Sequence, residues 1–170
     1  MLLVGGDPWP GWFNHLHHSA FHLEVRDSYS EASENSRLRA FLAGEPAPCE
    51  PPVPWHSLMR TTTSRGVAVR RVRVITEPMS DYHRWLYSVT GRNIESGEDI
   101  RYLPRHLAGV VPPDDWWLLD DKRVVYNLAD IDGTPAGAAV TTDPSIVRYC
   151  REVRDRLWKL AIPYLEYAGK

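Results

Sequence analysis

The chain has 170 residues, of which 43% are hydrophobic and 25% are charged, the usual balance of one soluble globular domain. Its 20 basic and 22 acidic residues give a net charge of -2, which argues against a dedicated binder of nucleic acid or anionic membranes because such proteins carry a basic excess. No apolar run approaches the roughly 18 residues of a membrane span, and residues 1–6 lack the basic start of a signal peptide. Composition therefore predicts a cytoplasmic protein whose two cysteines, Cys49 and Cys150, stay reduced.

Glycine and proline interrupt the start of the chain. Residues 1–12 are predicted to be a flexible lead-in, because these residue types break any hydrophobic periodicity. The next segment fits two structures, since Phe13, Leu16 and Phe21 have helical spacing whereas residues 20–25 alternate loosely like a strand. We favour a helix followed by a strand.

A polar segment and a proline-rich segment follow. Residues 28–42 gain apolar side chains toward their end and predict a helix that stops at Gly44. Five of the 14 prolines then fall within residues 45–54, and they predict an extended connector. No internal repeat or second domain is visible, so residues 13–170 are predicted to form a single domain.

The periodicity is clearer after the connector. Apolar positions from Trp55 to Thr62 have helical spacing, residues 67–76 are rich in β-branched side chains, and Ser80 can cap a following helix. The remaining predicted elements are strands over 99–103, 116–119, 124–128 and 136–141 and a last helix that begins at Asp143-Pro144. This order predicts an α/β (α+β) fold in which helices flank a mixed β-sheet.

Several segments carry a family resemblance. They are residues 21–29 (FHLEVRDSY), 71–82 (RVRVITEPMSDY), 97–105 (GEDIRYLPR), 117–121 (WLLDD) and 158–167. Together they resemble an actinobacterial domain family of unknown function, whose members are often encoded beside helix-turn-helix regulators. The resemblance covers nearly the whole chain after the lead-in, and it implies a regulator of that class as a partner without implying an activity.

Residues 55–165 also resemble one half of a phospholipase D fold. The matching segments are strand 65–70 (RGVAVR), strand 100–103 (IRYL) and hairpin 117–125 (WLLDDKRVV). That family's catalytic signature is His-x-Lys followed by Asp, and neither Asp120 nor Asp121 has a His and a Lys at the required positions before it. The resemblance therefore implies a degenerate half without the covalent phosphoryl intermediate, as in the sensor domains of some transcriptional regulators. Because two halves build a phospholipase D site, it also implies a homodimer.

Arginines on two predicted strands are the most informative polar residues. Alternation puts Arg71 and Arg73 on one face of the strand over 67–76, and it puts Arg101 and Arg105 on one face of the next strand. An unpaired buried charge costs several kcal/mol, so each arginine must be paired if it is buried. Two interpretations are open. Either Arg73, Arg101 and Arg105 grip a small anionic ligand through bidentate contacts, or the arginines form structural ion pairs with nearby carboxylates.

Other polar and aromatic residues complete the candidate site. If residues 20–25 form a strand, Glu24 and Arg26 either join the cleft or latch the N-terminal segment to the sheet. Trp116 and Trp117 are adjacent, so one faces inward and the other outward, where it would stack on a ligand or seal a dimer interface. The further candidate ligand-binding residues are therefore Glu24, Arg26, Tyr82 and Trp117.

Metal, cofactor and acid–base chemistry have fewer signals. Four histidines lie within eight positions, but no carboxylate or cysteine motif accompanies them, and no metal site is predicted. No cofactor is predicted either, because the sequence has no phosphate-cradling glycine loop and no dinucleotide fingerprint. The acid–base candidates are Glu77, Asp81 and Asp120, the first two of which flank a proline turn after a strand.

These observations favour a non-catalytic ligand-binding or regulatory domain that recognises a small anionic molecule through an arginine-lined cleft. Two alternatives remain open. One is a small biosynthetic enzyme that uses Glu or Asp as acid and base, and the other is an interaction partner of a helix-turn-helix regulator. A homodimer is expected, whereas a membrane or nucleic-acid partner is not.

Overall fold

The computed structural model describes residues 1–30, 32–45 and 53–167, so most of the predicted connector and Cys49 lie outside the described residues. The strands are β1 (Leu2–Val4), β2 (Ser19–Glu24), β3 (Ala68–Ile75), β4 (Glu98–Pro104), β5 (Trp116–Leu119), β6 (Arg123–Ala129), β7 (Pro135–Thr141) and β8 (Ile162–Pro163). The helices are α1 (Trp9–Asn14), α2 (Ala32–Leu42), α3 (Pro54–Ser64), α4 (Asp81–Glu95), α5 (Arg105–Ala108), α6 (Pro144–Leu160) and α7 (Tyr164–Tyr167). The predicted α/β fold class is confirmed.

All the strands form one mixed sheet in the order β1-β7-β6-β5-β2-β3-β4-β8. The central strands β2, β3 and β4 are parallel, and the other pairings are antiparallel. Parallel neighbours need a crossover connection, which α2 and α3 supply between β2 and β3 and α4 supplies between β3 and β4. Strand β2 is therefore the junction between the parallel and the antiparallel parts of the sheet.

Both faces of the sheet are covered by helices. On one face, Phe21 and Trp116 pack in a cluster with the apolar side of α6. On the other face, Ala20 and Trp117 pack with Phe13 of α1 and with α3. The prediction that one of the paired tryptophans faces outward is wrong, because both faces carry a hydrophobic core and both indoles are buried.

Side-chain caps fix the starts of the two longest helices. The Ser80 hydroxyl accepts a hydrogen bond from the backbone N–H of His83 at the start of α4. The Asp143 carboxylate accepts from the backbone N–H groups of Ser145 and Ile146 at the start of α6. Both helix starts were predicted from these residue types.

The beginning of the chain is more regular than its composition indicates. Strand β1 pairs with β7 at the sheet edge, and residues 9–14 form helix α1. Proline is tolerated in the first turn of a helix because its missing N–H would have no partner there. The side chain of Phe13 is fully buried, so tertiary burial outweighs the local helix-breaking composition. No helix in the described part of the chain combines the length and the apolar character that a bilayer span requires.

Candidate functional site

A cavity of about 970 Å³ lies on the α1/α3 face of the sheet. Its floor comes from β2, β3 and β5, with the side chains of His22, Glu24, Arg71, Arg73 and Trp117. Its walls come from the surrounding helices and include Trp9, Trp55, Tyr82 and Trp85, together with Ala40 and Phe41 of α2. The volume is that of a small-molecule site.

Glu24 joins two arginines on the cavity floor. Arg71 Nη1 and Arg73 Nε donate to different oxygens of the Glu24 carboxylate. Arg71 also donates from Nε and Nη2 to Glu98 over 3.1 and 2.8 Å. Burial alone would raise the pKa of Glu24, but the two guanidinium groups outweigh that effect and hold its pKa well below the ordinary value. These contacts support the interpretation that Arg71 forms structural ion pairs.

Only some of the N–H donors of Arg73 form hydrogen bonds with neighbouring residues. Its Nη1 donates to Thr90 Oγ1 over 2.8 Å and to the Tyr102 hydroxyl over 3.0 Å, while its Nε is held by Glu24. The Nη2 amino group makes no hydrogen bond to any of the residues that the structure describes. A buried cation at the cavity floor thus keeps one amino group available.

His22 lies beside this network and stacks on Trp117. The two ring centroids are 4.1 Å apart and the planes differ by 9°. The His22 Nδ1 atom is 3.3 Å from Glu24 Oε1, yet neither ring nitrogen has a hydrogen bond within the described residues. Burial lowers the pKa of His22, so the ring is neutral at neutral pH.

Two hydrogen bonds connect the helices around the cavity. The indole N–H of Trp55 donates to Glu98 over 2.7 Å, which ties α3 to the buried carboxylate behind Arg71. The Tyr82 hydroxyl donates to Glu34 over 2.9 Å, which ties α4 to α2 above the cavity. Burial raises the pKa of Tyr82, so its hydroxyl stays protonated and remains a donor.

The sequence-based candidates separate into two groups. Glu24, Arg73, Tyr82 and Trp117 line the cavity. Arg101 lies on the opposite face of the sheet, because the β3–β4 register places it beside Val72. Its guanidinium is 3.8 Å from the ring centroid of Trp158. The structure therefore does not bring Arg73 and Arg101 into one cleft.

The other two predicted arginines also lie outside the cavity lining. Arg105 begins α5 and donates to the backbone carbonyl of Val25 over 2.5 Å and to Asp27 over 3.4 Å. Arg26 lies over the ring of Tyr29, 5.7 Å from its centroid. The Arg105 contacts attach the segment after β2 to α5, as the latch interpretation of this segment requires, whereas the Arg26 contact lies within the segment.

The acid–base candidates do not meet in the cavity. Glu77 accepts a hydrogen bond from the Tyr167 hydroxyl over 2.7 Å, and Asp81 is an exposed partner of an arginine on its own helix. Asp120 accepts hydrogen bonds from the backbone N–H groups of residues 17–19 and thereby fixes the loop before β2. Each of the three carboxylates therefore has a protein partner outside the cavity.

Sequence reasoning missed two parts of the site. The candidate ligand-binding residues did not include His22, although a strand over residues 20–25 was favoured and would place it on the same face as Glu24. The set also did not include Trp55, although seven tryptophans in the chain were a signal for an aromatic site. Within the described residues, no group of three or more His, Cys, Asp or Glu side chains is arranged to hold a metal ion.

Comparisons with known proteins give a family and a fold. A family model described as a domain of unknown function, DUF6879, matches residues 7–169. No curated protein shows significant sequence similarity to the chain.

Two of the similar solved structures indicate the architecture. The phospholipase D family member Nuc from Salmonella typhimurium has a TM-score of 0.53 and 12% sequence identity, over 91% of this chain and 87% of that chain. TrmBL2, an archaeal chromatin protein with a novel mode of DNA binding, has a TM-score of 0.50 and 13% identity. That match covers 90% of this chain and 48% of TrmBL2, so the chain spans about half of its length. The fold is therefore similar to that of phospholipase D, and the identities support a statement about fold alone.

Proposed function

The chain belongs to the DUF6879 family of domains of unknown function, and we propose that it is a non-catalytic domain that binds a small anionic molecule in the cavity above Glu24 and Arg73. The proposal rests on the burial of Arg73 and on its hydrogen bonds. Arg73 is a buried cation that lines a cavity and has one amino group without a partner among the described residues.

Arg73 is preorganised for an anion. Glu24, Thr90 and Tyr102 hold its Nε and Nη1 atoms, so the side chain loses little further freedom when a ligand binds. A charge-assisted hydrogen bond in a site that excludes water is stronger than one at the surface. The ligand's acidic group would therefore be oriented by Nη2 of this one residue.

The chemistry of the cavity floor supports a binding domain that catalyses no reaction. Both carboxylate oxygens of Glu24 accept from arginines, and its strongly lowered pKa makes it a poor proton acceptor near neutral pH. The sequence lacks the His-x-Lys signature, and the acid–base candidates lie elsewhere. The resemblance to a family encoded beside helix-turn-helix regulators supports a regulatory use of the bound ligand.

The experiment is a binding screen with a pair of matched variants. Small carboxylates and phosphates are titrated into the protein by isothermal titration calorimetry. Ala40→Trp fills the cavity from α2, whereas Ala43→Trp introduces the same side chain at an exposed position just beyond that helix. We expect Ala40→Trp to weaken binding of every hit at least tenfold and Ala43→Trp to leave it unchanged.

A second pair of variants tests the arginine assignment. Arg73→Gln should abolish the preference for charged over neutral ligands, and Arg101→Gln on the opposite face should retain it. Circular dichroism confirms that each variant is folded. A hit that Ala40→Trp binds as tightly as the parent protein does, or a screen without any anionic hit, would contradict the proposal.

A further inference from the structure

We infer that the ligand is a monoanionic acid with a planar aromatic or heteroaromatic body, a class that excludes nucleotides and other polyphosphates. This inference rests on the proposed function, because it names the chemistry of the molecule that the same cavity takes. Three features of the cavity support it: the balance of its charges, the number of its open donors and the composition of its walls.

The charges around the cavity leave no positive excess. Among the described residues, four arginines and four carboxylates line it, and the buried Glu98 lies behind Arg71. A phosphate monoester carries close to two negative charges at neutral pH, so it would bring two further charges to a floor whose buried arginines are already paired with Glu24 and Glu98. A carboxylate brings only one negative charge, so it adds about half as much uncompensated charge as a phosphate monoester does.

The open donors of the two arginines on the cavity floor agree with these charges. Arg71 is held by two carboxylates through Nε, Nη1 and Nη2, so it is committed to the structural network. Arg73 offers only its Nη2 group, which can donate to one oxygen of a carboxylate. A phosphate has three acceptor oxygens that all need partners when they are buried.

The walls favour a planar ring. Trp117 contacts Trp9 and Trp55 with ring centroids 5.9 and 5.7 Å apart, and Tyr82 and Trp85 face the cavity from α4 with centroids 5.8 Å apart. Aromatic side chains bind other rings through offset-stacked and edge-to-face contacts, which a saturated ring of the same size cannot make equally well.

His22 adds an unpaired polar side chain to the floor of the cavity. Its ring is 5% exposed, lines the cavity and has no hydrogen-bond partner on either nitrogen among the described residues. A ring nitrogen or hydroxyl group on the ligand would satisfy it. This favours heteroaromatic or hydroxylated aromatic acids over purely hydrocarbon ones.

The test uses a reference probe and three compounds that change its charge, its acidic group or its ring. Phenylacetate is the reference, phenylacetamide removes the charge, phenyl phosphate doubles it, and cyclohexylacetate replaces the planar ring with a saturated one. Titrations followed by the NMR signals of the tryptophan indole N–H groups give both the affinity and the location. We expect phenylacetate to bind at least tenfold more tightly than each of the other three probes. In Arg73→Gln, its advantage over phenylacetamide should disappear.

The outcomes separate this inference from the proposed function. Phenyl phosphate that binds as tightly as phenylacetate would overturn the monoanion assignment, and equal binding of cyclohexylacetate would overturn the planar ring. If none of the four probes binds but another small anion does, and Ala40→Trp abolishes its binding, the ligand class is wrong and the proposed function stands. If no small anion binds, both are wrong.

Discussion

The imidazole of His22 lies flat on the indole of Trp117, and the two residues are directly opposite each other on the antiparallel strands β2 and β5. Cross-strand pairs of this kind contribute roughly 0.2–1 kcal/mol to stability. Here the pair also joins the floor of the cavity to its tryptophan wall, because Trp117 contacts Trp9 and Trp55 on its other sides.

The buried His22 should make the protein less stable in mild acid. Burial lowers its pKa from the ordinary value of 6.5, so below that pH the unfolded chain binds more protons than the folded protein does. The titration of His22 therefore lowers the free energy of unfolding as the pH falls below 6.5, and it has no such effect above that pH. The variant His22→Phe keeps a ring on Trp117. We expect it to show a smaller change of unfolding free energy with pH between about pH 5 and pH 7. The remaining slope includes His83, whose pKa is also lowered by burial.

The control for this prediction is His17→Phe at an exposed position. It should leave the pH slope of the parent protein unchanged. Chemical denaturation at several pH values measures all three proteins. An identical slope in His22→Phe and the parent would show that His22 is not the titrating group.

Removal of the Glu24 charge should be strongly destabilising. Glu24→Gln leaves the buried guanidinium of Arg73 without its anionic partner and leaves Arg71 with Glu98 alone. Breaking a buried ion pair from one side costs about 3–5 kcal/mol. The matched substitution Asp81→Asn breaks an exposed pair with Arg84 and should change the unfolding free energy by less than about 1 kcal/mol. Comparable losses in the two variants would refute a central role for the buried network.

The same carboxylate predicts a loss of stability in acid. Its pKa in the folded protein lies well below the ordinary value of 4.5, so its stabilisation is present above pH 4.5 and is lost as the pH falls through the folded-state pKa. The stability difference between the parent and Glu24→Gln should therefore become smaller below pH 4.5. Denaturation midpoints measured at successively lower pH test this, and a difference that stays constant would count against it.

Two glycines in and after α4 should respond to alanine in opposite directions. Gly97 has a φ of +100°, and a Cβ atom there would lie 2.4 Å from Thr63 Oγ1. Gly97→Ala should therefore cost at least about 1–3 kcal/mol through strain and overlap with α3. Gly91 is inside the helix with nothing within 4 Å of an added Cβ, and Gly91→Ala should stabilise the protein by about 0.5–1 kcal/mol. Thermal unfolding of both variants checks the signs, and two changes of the same sign would exclude this explanation.

Asp120 should matter for stability and not for ligand binding. It has a φ of 48° and accepts three backbone hydrogen bonds, so Asp120→Gly keeps a favourable backbone conformation and removes the acceptor. We expect a loss of about 1–3 kcal/mol with unchanged affinity for any cavity ligand. A large loss of affinity in a variant that remains folded would return Asp120 to the list of functional candidates.

The sequence predicted most elements but not how their faces align. Strand β5 was predicted with the bounds that the structure shows, and the caps at Ser80 and Asp143 were identified because short side chains with local acceptors mark helix starts. Alternation also placed Arg71 and Arg73 correctly on one face of β3.

Arg101 shows why the candidate site was only partly predictable. Alternation tells which residues of one strand share a face, but the register between neighbouring strands decides which face that is. The pairing of Arg73 with Tyr102 puts Arg101 on the side of α6, and no local pattern specifies that pairing. Helix α1 was not predicted for a related reason, since its burial depends on the contact of Trp9 with Trp117, which lies far away in the sequence.

The position of β2 between β3 and β5 has a consequence during synthesis. The floor of the cavity combines His22 and Glu24 from the first part of the chain with Trp117 from its last third. A nascent chain that has not yet extended past β5 cannot hold this floor, because its Trp117 side is still missing. The cavity is therefore completed late, when non-local strands close on one another. Ligand recognition at this site would then require a chain that has been synthesised past Leu119.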